Sequence, residues 1–453
     1  MFLIKGTIQG RFDRVLFISS LLLWITLAFQ HGLKIFQYAV NIPASDEWEA
    51  LADRANLTFN QFAWIFTPQN ENRIVPTRVL NQIFFYASDW NFVSMIRFNY
   101  LMYLALVLYL SYLLAKVLPQ KPWVALLSSV FLLTALPWEV HSWANQSCFH
   151  FLLLGAFACC HQFFLQPHSL FRLPFKILAG LLTLYSLYAG LVIVPSLLIL
   201  LALRLAYRAY LKPAERTVGD GASFMLLSIS LLAAIWAYFQ FNYPALHTSQ
   251  LALPYRWEFW NYFFNLVALG FGLLTVDWTI GFGFALLTYL PLLLLVWKKR
   301  NRLQAEDWLL ISLYSTVTVI LASIAIGRGL SFGVNQSKSS RYAEFASLLI
   351  PLMLCAWWVA FEERPRLAAL NLMALLLVTT YSLRNSWHFD AIYHEAWTFR
   401  NAGRDCAFLY FRKEGDGNCP TIYWSNISER LENARLLKIS FYREWAADNE
   451  PLP

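Results

Sequence analysis

The stretch VLFISSLLLWITLAFQHGLKI, residues 15–35, decides the fold class of this chain. It is long and apolar enough to cross a bilayer as a helix, which takes about 20 residues. No small-residue cleavage site follows it before His31, so we expect a retained membrane anchor and not a cleaved signal peptide. The segment that comes next, NIPASDEWEA at 41–50, places three acids beside a tryptophan.

The composition of the whole chain also indicates a membrane protein. Of its 453 residues, 58% are hydrophobic and 14% are charged, whereas soluble domains carry about 25% charged residues. The aromatic content of 17% suits belts of amphipathic rings at the membrane interface. The net charge of +8 does not indicate nucleic acid, because excess Lys and Arg in such proteins collect on cytoplasmic loops. Membrane lipids are therefore the expected surroundings, and no nucleic-acid partner is expected.

Hydropathy predicts an all-α, polytopic fold of about eleven spans. They are 15–35, 93–115, 122–138, 147–165, 174–189, 190–207, 222–241, 279–297, 307–326, 343–361 and 367–384. A further apolar segment, 254–274, would place the basic cluster at 298–302 outside if it crossed the membrane. We therefore predict that 254–274 is an interfacial or re-entrant segment.

The distribution of basic residues predicts the orientation. With a cytoplasmic N-terminus, most Lys and Arg fall inside, and the short outer loops hold only Arg256, Arg328, Lys338 and Arg341. The expected location is the inner (plasma) membrane. Two regions follow from this reading: a membrane domain, 1–384, whose first exported loop is 36–92, and an exported C-terminal tail or cap, 385–453.

The positions of the cysteines predict one disulfide. Cys406 and Cys419 both lie in the tail, where an oxidising compartment would favour their pairing. Two free thiols are the alternative. The other four cysteines fall in predicted spans and are expected to be small buried hydrophobes; they are Cys148, Cys159, Cys160 and Cys355.

Polar motifs gather on the face that this orientation places outside. The first loop carries SDEWEALADRANLTF and TPQNENRIVPTRVLNQIFFYASDW, and residues 74–86 have the pattern of an amphipathic interfacial helix. The later outer segments are PWEVHSWANQ at 137–146 and GRGLSFGVNQSKSSRYAEF at 327–345. Long loops in compact proteins are commonly functional, so a site is expected on this face.

Each candidate residue has a simpler explanation. Acids in a loop are often only solvated, arginines near headgroups often only anchor the chain, and Glu139 and His141 suit an aromatic belt. A divalent cation is possible at Asp46, Glu71, Glu139 and His141, but no known ligand spacing is present, so no metal site is predicted. Walker and dinucleotide-binding motifs are missing from the sequence, so no cofactor is expected.

Four motifs carry a resemblance to a known family. They are DEW at 46–48, NENRIVPTR at 70–78, GRG at 327–329 and SSRY at 339–342. With the order of spans, they resemble a bacterial, multi-pass branch of the GT-C superfamily of membrane glycosyltransferases, over roughly residues 10–385. The resemblance implies a polyprenyl-phosphate-linked sugar as donor and an acid of the first exported loop as catalytic base. That acid is Asp46, with Glu47 as the substitute.

The chemistry of such a transfer selects further residues. A carboxylate takes the proton of the acceptor hydroxyl as that oxygen attacks the anomeric carbon. Arginines hold phosphate oxygens through a planar, bidentate guanidinium, and aromatic rings stack on sugar or prenyl surfaces. The predicted binding residues are Arg73, Arg78, Arg328, Arg341, Glu71, Asn72, His141, Trp48, Trp138, Trp143 and Tyr342. The acceptor is a glycan, a lipid or a protein.

Three other functions stay open. A flippase or transporter of lipid-linked saccharides would place ionisable residues deep within spans and use discontinuous helices. A surface-polysaccharide polymerase or ligase would also have long outer loops and arginines, without needing an acid where the first span ends. A catalytically silent member would serve as a binding or assembly subunit.

Overall fold

The computed structural model describes residues 10–55, 60–70, 72–166, 170–211, 218–240, 250–272, 276–361 and 365–449. The structure is 80% helical. No strand occurs in these ranges. They contain an isolated β-bridge between Gln69 and Asn72. The predicted all-α class is confirmed.

Twenty α-helices lie in the described ranges. They are α1 (Arg11–Tyr38), α2 (Glu47–Ala55), α3 (Gln61–Phe66), α4 (Val75–Ser88), α5 (Phe92–Val117), α6 (Pro122–Ser129), α7 (Trp138–Ser142), α8 (Ser147–Phe164), α9 (Leu173–Leu184), α10 (Gly190–Leu211), α11 (Val218–Gln240), α12 (Trp257–Gly270), α13 (Trp278–Lys298), α14 (Ala305–Arg328), α15 (Ser340–Ala346), α16 (Leu349–Phe361), α17 (Pro365–Ser386), α18 (Phe389–Phe411), α19 (Ser428–Leu436) and α20 (Ser440–Asn449).

Eight helical segments of the described chain are long and apolar enough to cross a membrane. They are Phe12–Tyr38, Phe92–Val117, Ala144–Phe164, Gly190–Leu211, Asp220–Gln240, Trp278–Lys298, Ala305–Arg328 and Ser340–Phe361. Each overlaps one of the predicted spans. On length and composition, this is an all-helical polytopic membrane protein.

Three predicted spans have no counterpart among these eight, so the count of eleven is not confirmed. The run 122–138 forms α6 and a short 3-10 helix, Val130–Leu133. The run 174–189 forms α9, of 12 residues. A Cβ on Gly190 would lie 2.1 Å from the Thr183 carbonyl oxygen, so the start of α10 lies close against the end of α9. The run 367–384 lies in α17.

The segment 254–274, predicted as interfacial or re-entrant, contains α12. This helix has 14 residues, fewer than the roughly 20 that cross the hydrocarbon core. Its inner side is buried, and Gly270 lies so close to the backbone of Ala346 that a Cβ would stand 2.4 Å from the Ala346 carbonyl oxygen. The short helix therefore packs against the start of the Ser340–Phe361 segment.

The core of the bundle lies around α5, α8, α14 and α16. Their buried faces are aliphatic and aromatic, as at Leu110, Phe157, Leu313 and Leu352, all 0% exposed. Helix α1 instead presents a row of apolar side chains outward, including Ile18, Leu22, Ile25 and Phe29. An exposed apolar face of this length marks a surface that contacts a membrane or another protein.

The C-terminal tail folds back onto the first loop. The backbone N–H of Ser45 donates to the carbonyl of Ile422 at 2.7 Å, and that of Ser440 donates to Asp89 at 2.7 Å. Helix α18 is joined to the segment before α19 by a disulfide between Cys406 and Cys419, whose Cα atoms are 5.8 Å apart. The structure therefore contains the predicted disulfide, and the tail contacts the first loop.

Candidate functional site

A cavity of about 260 Å³ lies beside the first loop, where α2, α3 and α4 meet the start of α5 and residues 144–145. Four carboxylates and one arginine line it, together with two tryptophans, which are Trp64 and Trp90. The carboxylates belong to Asp46, Glu47, Glu49 and Asp53, and the arginine is Arg78. Residues of the DEW motif and the end of NENRIVPTR thus line one cavity.

The position of Asp46 follows from a turn just before α2. Ser45 adopts a left-handed backbone conformation, with φ of 47°, and its N–H is held by the carbonyl of Ile422. Asp46 then precedes the first helical residue, and its carbonyl accepts the N–H of Glu49 at 3.2 Å. Acids are favourable at a helix N-terminus because the exposed N–H groups there carry partial positive charge. Asp46 is half-buried and faces the cavity.

Glu47 is buried and joins two loops. Its Oε2 accepts the backbone N–H of Ala44, and its Oε1 accepts that of Asn145, both at 2.8 Å. Burial raises the pKa of Glu47 above its ordinary value, although Arg400 and the backbone hydrogen bonds act in the opposite direction. Because both carboxylate oxygens are engaged, Glu47 is placed to hold the cavity wall together.

Arg78 supplies the cation in the cavity. Its Nη1 donates to the carbonyl of Trp64, and its Nη2 lies 3.5 Å from the carbonyl of Pro68. The guanidinium also lies over the Trp64 ring, 4.5 Å from the ring centre. Burial lowers the pKa of Arg78 to about 10, and nearby Asp53 counters this effect. The side chain therefore stays charged at neutral pH.

The other three predicted arginines lie elsewhere. Arg73 is buried and donates from Nε to the Tyr238 carbonyl at 2.7 Å, which fixes α11 to the first loop. Arg328 lies over the ring of Phe332, with 4.5 Å to the ring centre. Arg341 has its Nε 3.7 Å from Glu139. Of the four arginines, the structure brings Arg78 to the cavity.

Two predicted binding residues of the first loop have structural contacts. Trp48 is fully buried, and its ring packs edge-on against Phe441, with 5.8 Å between ring centres. The side-chain oxygen of Asn72 accepts the backbone N–H of Tyr188 at 2.9 Å. Neither lines the cavity. Glu71 lies outside the described residues.

The predicted residues of the later segments also lie away from the cavity. His141 is buried, and its Nδ1 is 3.2 Å from the hydroxyl of Tyr393; burial lowers its pKa, so the ring is neutral. Tyr342 is buried beneath the guanidinium of Arg341, with 5.6 Å to the ring centre. The aromatic rings of Trp138 and Trp143 are half-buried. The predicted residues of the GRG and SSRY motifs thus lie outside the cavity.

Sequence reasoning missed two acids and three tail residues. Glu49 and Asp53 follow Asp46 by three and seven positions, a spacing that places them on one face of α2, so helical periodicity could have found them. The tail residues are Tyr423 and Arg430, which hold Glu49, and Arg400, which is buried near Glu47. No motif marks the tail residues in the sequence.

The part of the chain that the structure describes contains no group of three or more His, Cys, Asp or Glu residues placed to hold a metal ion. No protein-family model and no curated protein matches this chain.

Proposed function

We propose that this protein is an integral-membrane glycosyltransferase that moves a sugar from a polyprenyl-phosphate-linked donor to an acceptor, with Asp46 as general base. The observation that carries the proposal is the cavity that Asp46 shares with Arg78. The resemblance to the GT-C superfamily implied Asp46 as the base, and the chemistry of a phosphate leaving group selected Arg78 among the candidate cations. In the folded chain they line the same space.

The lining of the cavity suits a sugar. Carboxylates accept hydrogen bonds from sugar hydroxyls. Asp46, just before α2, and Glu49 and Asp53, on α2, supply such acceptors in the cavity. Tryptophan rings offer flat apolar surfaces that pack against the C–H faces of a pyranose. Trp64 and Trp90 are the rings in this position.

The proposed reaction uses Asp46 and Arg78 in different steps. Asp46 accepts the proton of the acceptor hydroxyl while that oxygen forms a bond to the anomeric carbon. The bond from the anomeric carbon to the phosphate oxygen breaks, and polyprenyl phosphate leaves with the electron pair. Arg78 is the cation placed to oppose the charge that develops on the phosphate. Glu47 is a weaker candidate for the base because backbone N–H groups occupy both of its oxygens.

The proposal includes a location. The asymmetry of basic residues supports a cytoplasmic N-terminus in the inner membrane. The first loop, the cavity and the tail then lie on the exported face. A donor on that face needs no nucleotide, because its leaving group is a lipid phosphate that already lies in the bilayer.

The test is a transfer reaction with the purified full-length protein in liposomes. A panel of polyprenyl-phosphate monosaccharides is supplied with soluble and lipid acceptors, and release of polyprenyl phosphate is measured. We expect release with at least one donor, and an unchanged rate in Glu258→Gln, because Glu258 is an exposed acid outside the cavity. A folded protein that releases polyprenyl phosphate from no member of the panel would contradict the proposal.

A transporter or flippase of lipid-linked saccharides is the second candidate, and one observation favours it. His150 and Glu344 are fully buried in two of the candidate spans, and ionisable groups within a membrane mark ion and substrate pathways. The same liposomes separate the two functions. A transporter would move the labelled lipid-linked sugar between leaflets without releasing polyprenyl phosphate.

A further inference from the structure

Two ionisable side chains face each other inside the helical bundle. His150 lies on α8 and Glu344 on α15, and both are 0% exposed at the side chain. The His150 Nε2 and the Glu344 Oε1 are 3.4 Å apart. The two residues belong to the candidate spans Ala144–Phe164 and Ser340–Phe361. Neither is used by the proposed transfer reaction.

The pair has few polar neighbours. Among the described residues, no side chain or backbone group makes a hydrogen bond with either ring nitrogen of His150 or either carboxylate oxygen of Glu344. The titratable groups that face the pair are Tyr103 on α5, His141 on α7 and Cys148 on α8. No Lys or Arg in the described ranges forms an ion pair with Glu344.

This environment requires a proton on the pair. A buried carboxylate without a compensating cation is strongly unfavourable, and the membrane interior offers no water to replace the lost hydration. One proton removes the cost, either on His150 as an imidazolium beside a carboxylate or on Glu344 as a neutral carboxyl. Both arrangements give the pair a net charge of zero.

A series of protonatable groups leads from the pair toward the end of α1. The ring of Tyr103 lies 5.7 Å from that of His150 and 4.4 Å from that of His141, centre to centre. Its hydroxyl donates to the carbonyl of Leu132, so Tyr103 contacts the two histidines through its ring. His141 Nδ1 is 3.2 Å from the Tyr393 hydroxyl, which is 2.7 Å from Nε2 of His31.

His141 and Tyr393 also line a second cavity, between α1 and α18, of about 10 Å³. That volume is close to the space that one water molecule needs. Arg400 and Tyr38 belong to the same lining. The protonatable series therefore ends at a small, mostly apolar space that also contains these four polar side chains.

We propose that His150 and Glu344 form a proton-binding site within the membrane domain, which exchanges its proton with the second cavity through His141 and Tyr393. The site takes up or releases one proton, and the bond made and broken is the N–H of the imidazole or the O–H of the carboxyl. This proposal stands independently of glycosyl transfer, because it concerns groups that the Asp46 cavity does not contain.

Infrared difference spectroscopy of the full-length protein in lipid nanodiscs tests the proposal. Spectra are recorded through a pH titration in H₂O and D₂O, for the wild type, Glu344→Gln and the matched control Glu258→Gln. We expect a pH-dependent carboxyl or imidazole signal in the wild type and the control, shifted in D₂O, and its loss in Glu344→Gln.

Two further variants keep the test decisive if Glu344→Gln does not fold. Tyr393→Phe leaves the pair intact and removes one hydroxyl of the series, so deuterium exchange at the pair should slow by tenfold or more. His150→Gln should leave Glu344 protonated throughout the titration and so abolish the pH dependence. A wild-type signal that neither titrates nor exchanges, or exchange unchanged in Tyr393→Phe, would overturn the proposal.

Discussion

The side chain of Glu47 accepts a hydrogen bond from the backbone N–H of Asn145 at 2.8 Å, across 98 positions of sequence. The contact joins the first loop to the segment between α7 and α8, and both contribute to the wall of the cavity. Glu47, the acid next to Asp46 in the DEW motif, therefore holds these two parts of the cavity wall together. The two neighbouring acids have different environments, one buried and bonded, the other half-buried at the cavity.

The environment of Glu47 predicts a pH dependence of stability. Its pKa in the folded protein is raised by burial, so protonation of Glu47 favours the folded state. This contribution is fully present below the unfolded pKa and is lost as pH rises through the folded pKa. Thermal unfolding midpoints of wild type and Glu47→Gln, measured against pH, should show the wild type losing stability relative to the variant as pH rises. A difference that grows in the opposite direction would mean that the fold stabilises the carboxylate.

The disulfide predicts a stability effect in the tail. Cys406 and Cys419 close a loop of 13 positions. A crosslink of this length stabilises the folded state by about 3 kcal/mol, because it lowers the conformational entropy of the unfolded chain. The double variant Cys406→Ser, Cys419→Ser should lower the unfolding midpoint in detergent. A reductant should lower the midpoint of the wild type in the same way and leave the double variant unchanged. A non-reduced peptide map that shows both thiols free would contradict the pairing.

Arg78 should matter for the lipid-phosphate donor. Removing a charge-assisted contact costs about 1.5–3 kcal/mol, so Arg78→Gln should raise the donor KM by roughly 10- to 100-fold. Arg256→Gln is the matched control, because Arg256 is exposed and lies outside the cavity. Steady-state release of polyprenyl phosphate measures both variants. Equal KM values for Arg78→Gln and the wild type would remove Arg78 from the donor site.

The orientation can be tested by labelling. Ala214→Cys adds a thiol before the predicted span 222–241, and Thr248→Cys adds one after it. Both positions lie outside the described residues. The four free native cysteines are buried. In intact cells, an impermeant thiol reagent should modify the cysteine at 248 and spare the one at 214. Labelling of 214 alone would reverse the predicted orientation. Labelling of both positions would contradict a membrane crossing between them.

Much of the fold follows from composition, because apolar segments of about 20 residues have few alternatives to a membrane helix. The failures have a local cause. Hydropathy counts apolar residues but does not sense where a helix ends: α9 ends at Leu184, and α10 begins at Gly190, close to the Thr183 carbonyl. The predicted spans 174–189 and 190–207 have similar compositions. The first nevertheless contains a helix of 12 residues, and the second lies in a helix long enough to cross a membrane.

The site was predictable where its residues are close in sequence. Asp46, Glu49 and Asp53 follow helical spacing, and Arg78 lies at the end of a motif in the same loop. The tail residues were not predictable. Tyr423 donates to Glu49 across 374 positions, and Arg430 reaches the same carboxylate at 2.9 Å. Only the folded chain places them there.

The most direct test of the proposed function compares sugar transfer by purified wild type and Asp46→Asn. Asparagine keeps the size of the side chain but cannot accept the proton, so the turnover should fall by roughly 100-fold or more, with donor binding and thermal stability unchanged. Glu47→Gln, measured in parallel, should retain far more activity. Turnover near the wild-type rate in Asp46→Asn, with Glu47→Gln inactive, would assign the base to Glu47 and contradict the account of Asp46.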